Sequence, residues 1–437
     1  MSNFNNPNFA LYLPAVNEVF AKGVLKEVPS NRSFPVGLTL KDLTFWNDNK
    51  LFHYPNLLHS IGAHTVGSWP NNAVTRTDTQ KVKVFADSGG FQIGKGNLKG
   101  FKEISNLSDP HEVVQAWTSA HRVRNWVVSW SEAFSGYAMT LDIPLWVTSP
   151  AGVNSPFAKC SQEQIIAMTV ENLKYINFYC QGHTKWINVI HGLDIKAIED
   201  WWNAVKGYKF KGWALAGGAG TRGGLYQLLY TTLMMRDEGA FAPDCEVLHL
   251  LGVSGLKWSV VLSAIQQQLS TKNRNLRVTF DSSSPFQHAA KYDSACVPPL
   301  LGVDESNWTI AADKSVQDFR YVNGGHPFKY KESPIGKRMS MGHLNVRGTH
   351  NSDRHFDEIS RHLLVNHNVW VYLDAIQSAN EAVISDAKNE LAPASLLEIL
   401  DIVKDAFHEQ DWKAFLLRHK KALDKFAKSE YVASISK

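Results

Sequence analysis

"KWINVIHGLDIKAIEDWWNAVKGYKFKGWALAGG", residues 185–218, carries the pattern that decides the fold. Its first eight residues form an apolar, β-branched run that stops at His191-Gly192. "IKAIEDWWNAVKG" (195–207) follows with helical spacing, and "GWALAGG" (212–218) is a second short apolar run ending in paired glycines. Strand, helix and strand at this spacing predict a parallel pair joined by a crossover helix. The same alternation recurs outward in both directions. Candidate strands fall at 9–16, 56–64, 82–88, 137–144, 247–254 and 276–282, with helical segments at 109–123, 161–180, 223–239 and 256–270. Eight strands in all predict a closed (β/α)8 TIM barrel over residues 1–290, with an open doubly wound sheet as the rival.

Beyond the barrel the composition changes. Residues 291–351 are rich in Gly, Pro, Ser and Asp and hold the basic run "KYKESPIGKR" (329–338), as expected of a loop-rich insertion. Residues 352–437 read as a helical C-terminal region packed on the barrel, with apolar stripes in "ASLLEILDIVKDAFHEQ" and "DWKAFLLRHKKALDKFAKSE". The chain has 437 residues, 44% of them apolar, and a formal charge of +4, far below that of a charge-driven nucleic-acid binder. Cys160, Cys180, Cys245 and Cys296 are scattered, with neither C-x-x-C pairs nor a disulfide framework. The expectation is a soluble, cytoplasmic protein without a targeting or membrane-spanning segment.

In a parallel barrel, chemistry collects where strands end at the C-terminal mouth. The expected strand ends are Asp87, Asp142, His191, Gly217-Gly218, Leu251-Gly252 and Asp281. Each has an ordinary reading: Asp87 and Asp142 as turn residues, Asp281 as a helix cap, His191 as a hydrogen-bonded structural histidine. Their coincidence at successive strand ends points instead to chemistry, because three carboxylates are costly to gather at one mouth. Gly89, Gly90, Gly217 and Gly218 are expected to let backbone N–H groups approach a flat ligand, and Phe91 either covers such a ligand or fills the core. "GGAGTRGG" (217–224) lacks the order and the Lys-Ser/Thr ending of a phosphate loop.

"ADSGGFQ" (86–92), "MTLDIP" (139–144), "INVIHG" (187–192), "GWALAGG" (212–218), "HLLGV" (249–253) and "FDSSSP" (280–285), with "HLLVNHNVWVYLDAIQSA" (362–379) after them, resemble in order and spacing the tRNA-guanine transglycosylase superfamily. The resemblance implies a (β/α)8 barrel that exchanges guanine in a nucleic acid for a free 7-deazaguanine base, with no redox cofactor. It implies Asp281 as the nucleophile and Asp87 as the general acid and base. Asp142 would bind the guanine N1–H and amino group, and Gly217 and Gly218 its carbonyl. Phe91 and Leu251 would sandwich the ring, with Ser88, Gly89, Gly90 and His191 completing the base site.

The sequence departs from that family in places. His367 matches the histidine of the family's structural zinc site, but Gly336, Arg338 and Met341 stand where its thiolates would be. Either this region holds together without metal, or His343, His350 and His355 replace the thiolates. His191 stands where glutamine is common, and Phe286-Gln287 replace Thr-Arg after the nucleophile. These changes are expected on the polynucleotide side. They place the sequence nearest the DNA guanine transglycosylases of phages and bacteria, which insert bases such as 7-cyano-7-deazaguanine (preQ0) and protect DNA from restriction; a phage-encoded enzyme would act in the host cytoplasm. A divergent tRNA enzyme and a non-catalytic nucleic-acid-binding subunit are the alternatives. Arg222, Lys337 and Arg338 are the first candidates for phosphate contact.

Overall fold

The computed structural model describes residues 4–322, 324–346 and 355–435, with side chains through Lys428. Eight parallel strands close a barrel in sequence order: β1 (Leu11–Val16), β2 (Asn56–Ser60), β3 (Lys83–Asp87), β4 (Tyr137–Met139), β5 (Lys185–Ile190), β6 (Gly212–Leu215), β7 (Val247–Leu250) and β8 (Arg277–Ser282). β1 closes the ring on β8, with Leu13 opposite Asp281. The open-sheet rival is thereby excluded.

The deciding stretch shows how the wall is built. Asp194 caps the helix Ile195–Val205 by accepting the Ala197 N–H at 2.9 Å. That helix buries Ala197, Ile198, Trp201, Trp202 and Val205 along one stripe. Trp201 also donates its indole N–H to the Val189 carbonyl at 2.9 Å, fixing the helix against β5.

The segment expected as one helix at 109–123 is two, Pro110–Thr118 and His121–Phe134. The break has a side-chain cause. The Arg124 guanidinium reaches back to the carbonyls of Trp117 and Thr118 at 2.8 and 3.0 Å, satisfying the C-terminus of the first helix from within the second.

After the barrel come the helix Ser284–Tyr292 and an antiparallel pair of strands, β9 (Ala295–Val297) and β10 (Ala311–Asp313). The long helix Glu358–Ile384 packs on Leu256–Ser270 and Ser284–Tyr292, and on the short elements Glu18–Gly23 and Leu40–Leu43 that follow β1. It thus covers a flank where the crossover supplies only a six-residue α-helix and one short 3-10 turn. Three successive polar residues bolt it in place. Asn366 donates to Leu43 O; His367 bonds Ser333 Oγ and Cys296 O; and Asn368 accepts from Cys296 N and donates to Pro285 O and Ser294 O. Apart from Asn366 Oδ1, which has no partner among the described residues, these bonds satisfy the polar side chains of a fully buried helix segment. The helices Ala394–His408 and Trp412–Ile435 pack on Leu256–Ser270 and Gly224–Asp237. Among the described residues, no helix is long and apolar enough to cross a membrane.

Candidate active site

Strand register brings the first acid its partner. Ser60 lies opposite Asp87 across β2 and β3, and its hydroxyl donates to Asp87 Oδ2 at 2.6 Å. The Gly89 N–H adds a longer bond to Oδ1 at 3.4 Å. Asp87 is half-buried at the mouth, with many protein atoms crowded around its carboxyl. Its pKa is pushed up to about 6. Desolvation by burial is the largest cause, the Ser60 hydrogen bond opposes it, and repulsion from Asp142 and Asp281 adds to it. Three acids separated in sequence therefore share one electrostatic environment.

Asp142 lies three residues past the end of β4, not within the strand. It is 6% exposed, accepts from Ser88 Oγ at 3.2 Å through Oδ1, and pairs with His191 Nε2 at 2.7 Å through Oδ2. The His191 ring in turn packs edge-on against Trp201, with centroids 4.9 Å apart. The helix Ile195–Val205 thus positions the histidine that positions the carboxylate. Each Asp142 oxygen retains a lone pair for a further donor.

Asp281 is 8% exposed and held asymmetrically. Gly252, at φ +73°, turns its N–H onto Oδ1 at 2.8 Å, a backbone conformation that favours glycine. His249 Nε2 stands 3.3 Å from the same oxygen, outside hydrogen-bonding geometry, while its Nδ1 bonds the cross-strand Thr279 hydroxyl at 2.8 Å. Oδ2 has no hydrogen bond among the described residues, so one oxygen is anchored and the other is available to react.

Of the four glycines expected to let backbone N–H groups approach a flat ligand, three are also required by the protein's own packing. A Cβ on Gly90 would come within 2.7 Å of both Asp142 oxygens, one on Gly89 within 2.7 Å of Gly62 Cα, and one on Gly218 within 2.3 Å of Gly192 O. At these three positions protein fills the space, and the glycines let strand ends approach one another. Only Gly217, at φ +57°, has ordinary clearance, with His191 Nδ1 at 3.8 Å.

Phe91 is 52% exposed on the rim, where it meets Trp146 at 5.9 Å and Lys95 lies 5.4 Å over its ring. It is not core. Leu251 is half-buried and donates its N–H to Leu215 O at 3.2 Å, which holds the β7 end against β6. Beside Asp281 a cleft of about 940 Å³ opens between the loops after β6, β7 and β8 and the C-terminal helix. Arg222, Gly252, Gln287, Trp308 and Lys428 are among the residues lining it.

Lys337 and Arg338 do not line this cleft; Arg338 donates to Val36 O at 2.9 Å. Phe286, expected on the polynucleotide side, is buried, packed edge-on against Phe20 at 5.5 Å. Gln287 alone of that pair faces the cleft.

His367 uses both ring nitrogens in hydrogen bonds, at 2.8 Å to Ser333 Oγ and 2.9 Å to Cys296 O. Among the described residues, His343 and His355 do not join it in a three-ligand group, and His350 lies outside the described residues. A different group does form, from Glu18, His59 and His64.

Sequence reasoning missed Ser60, Trp146 and His249. Ser60 follows from the strand-end rule once β2 stops at residue 60, and His249 stands inside the quoted "HLLGV". No protein-family model matches the chain, and no curated protein matches it.

Proposed function

We propose that this protein is a guanine transglycosylase acting on DNA, exchanging guanine for a 7-deazaguanine base through a covalent aspartyl-sugar intermediate. The observation that carries this reading is the contrast within one carboxylate group. Asp87 is half-buried and crowded by protein, with its pKa pushed up to about 6, while Asp281 is anchored through one oxygen and has no hydrogen bond at the other among the described residues. Two neighbouring acids whose surroundings differ in this way suit proton transfer and nucleophilic attack respectively.

In this reading an everted deoxyguanosine enters the mouth. Asp142 accepts from the guanine N1–H and amino group, with Ser88 and His191 holding it in place. Backbone N–H groups at Gly217 and Gly218 meet the base carbonyl, and Phe91 and Leu251 cover the ring. Asp281 Oδ2 forms a bond to C1′ as the C1′–N9 bond breaks, and protonated Asp87 delivers its proton to the departing guanine. The incoming base then gives its N9 proton to the Asp87 carboxylate, N9 attacks C1′, and the ester to Asp281 breaks. Charge and protons return to their starting positions, so no redox cofactor is needed.

DNA is favoured over tRNA by the missing thiolate ligands at Gly336, Arg338 and Met341 and by Gln287 in the cleft wall. The test is release of labelled guanine from DNA and, in parallel, from tRNA, with and without 7-cyano-7-deazaguanine and with Asp281→Ala as control. Base-dependent release from DNA alone is the expected result. Release from tRNA alone would assign the protein to tRNA, and release from neither would leave it a binding subunit.

A further inference from the structure

We propose that Glu18, His59 and His64 form a binding site for a divalent transition metal such as zinc, and that the ion fixes the turn supporting Asp87. The ligand-capable atoms of the three residues lie within 4.8 Å of one another. They come from the ends of two adjacent strands: Glu18 opens the helix after β1, His59 is the penultimate residue of β2, and His64 follows the turn Ile61–Ala63.

Hydrogen bonding settles the state of the central ring. Val16 is paired with His59 across the strands, and its carbonyl lies 2.8 Å from His59 Nδ1. A carbonyl only accepts, so Nδ1 carries the hydrogen, and in the neutral ring Nε2 presents a bare lone pair. A backbone carbonyl holding the far nitrogen is the arrangement that orients metal-binding histidines. Facing that lone pair are His64 Nε2 at 3.0 Å and Glu18 Oε2 at 3.7 Å. Ligand atoms around tetrahedral zinc, each about 2.0–2.1 Å from the ion, are separated by about 3.4 Å, between these two distances.

The surroundings fit a closed, oriented site. Both imidazoles are buried, and the Trp130 ring stacks on them with centroids at 6.0 and 5.9 Å. Asn72 Nδ2 donates to Glu18 Oε2 at 2.6 Å, orienting the carboxylate. Glu18 Oε1 lies 2.8 Å from Lys22 Nζ and 3.7 Å from His64 Nδ1, with no well-formed hydrogen bond. Two imidazoles and a carboxylate match the borderline preference of zinc, with solvent completing the shell from the Glu18 side.

Without an ion, the two imidazoles meet through a single N–H···N bond. The consequence for the acid site is direct. Ser60, next after His59, holds Asp87, and Gly62 packs on Gly89. The ion would act as a positioning element, remote from the reacting atoms.

The full-length protein, purified without a metal-affinity tag, is analysed for bound metal after dialysis against zinc and then buffer. One ion per chain is expected, with loss in His59→Asn and His64→Gln and retention in His367→Asn. Cobalt added to the stripped protein should give the visible absorption of tetrahedral coordination, and His64→Cys should add a thiolate charge-transfer band. No bound metal in the wild type, no cobalt spectrum, or undiminished metal in both histidine variants would overturn the site. These readouts are independent of base exchange, so the metal site and the proposed activity fail separately.

Discussion

Asp87 and Asp281 present the same functional group at the mouth of one barrel, on strands whose ends the protein finishes differently. The β3 end crowds its acid: Ser60 and Gly89 donate to it, Gly62 backs the following turn, and desolvation pushes its pKa up to about 6. The β8 end leaves its acid half free. Gly252 N–H and the nearby His249 occupy the space at Oδ1, and Oδ2 has no hydrogen bond among the described residues. Residue type at a strand end therefore says that chemistry is possible, whereas the neighbours supplied by the adjacent strand decide which chemistry.

The largest test of this contrast is at Asp281. Asp281→Ala should lower base exchange by about 10³-fold or more and abolish the covalent adduct seen by mass spectrometry of quenched enzyme and DNA. Normal turnover in a folded variant would remove the distinction between the two acids. Asp87→Asn should slow guanine release by about 10²–10⁴-fold, the range for a lost general acid. DNA carrying 7-methylguanine, whose cationic base departs without a proton, should recover release in Asp87→Asn but not in Asp281→Ala. Equal recovery in both would mean that their roles are not separate.

A smaller effect concerns pH. With Asp87 protonated as the acid, kcat/KM for guanine release should fall as pH rises through about 6. The Ser60 bond stabilises the carboxylate, so Ser60→Ala should move that limb to higher pH. An unmoved limb in the pH–rate profile would assign it to another group. The linked stability effect has the same origin. Because the folded-state pKa lies above the ordinary 3.8, ionisation of Asp87 costs folding stability as pH rises from about 4 to about 6. Asp87→Asn should remove that part of the slope in denaturant titrations across this window. The smallest change is expected at His249: His249→Gln should cut turnover several-fold while leaving adduct formation intact, measured by rapid quench.

The barrel was legible because its strands are short apolar runs between amphipathic helices, and eight such runs suggested closure, which the pairing of β1 with β8 decides. Asp87 and Asp281 were legible because they stand at strand ends. Ser60 was not, since "SIGAH" continues the apolar character of β2 while the backbone has already turned at Ile61. Nor does local patterning show that Arg124 ends the preceding helix, because the cap comes from a side chain six or seven residues ahead. The roles of Gly89, Gly90 and Gly218 depend on what lies across the mouth, and sequence spacing does not show it. Glu18 and His59 meet only through the register of β1 against β2.

The pairing of Leu11 with Thr279 also sets a schedule for the newborn chain. At about 5–20 residues per second, synthesis separates these two strands by roughly tens of seconds, during which β1 has no partner on its β8 side. The helix that covers this flank, Glu358–Ile384, emerges later still. The seam is thus the last part of the wall to close on the ribosome, and its unpaired edge is where a chaperone would have most to protect.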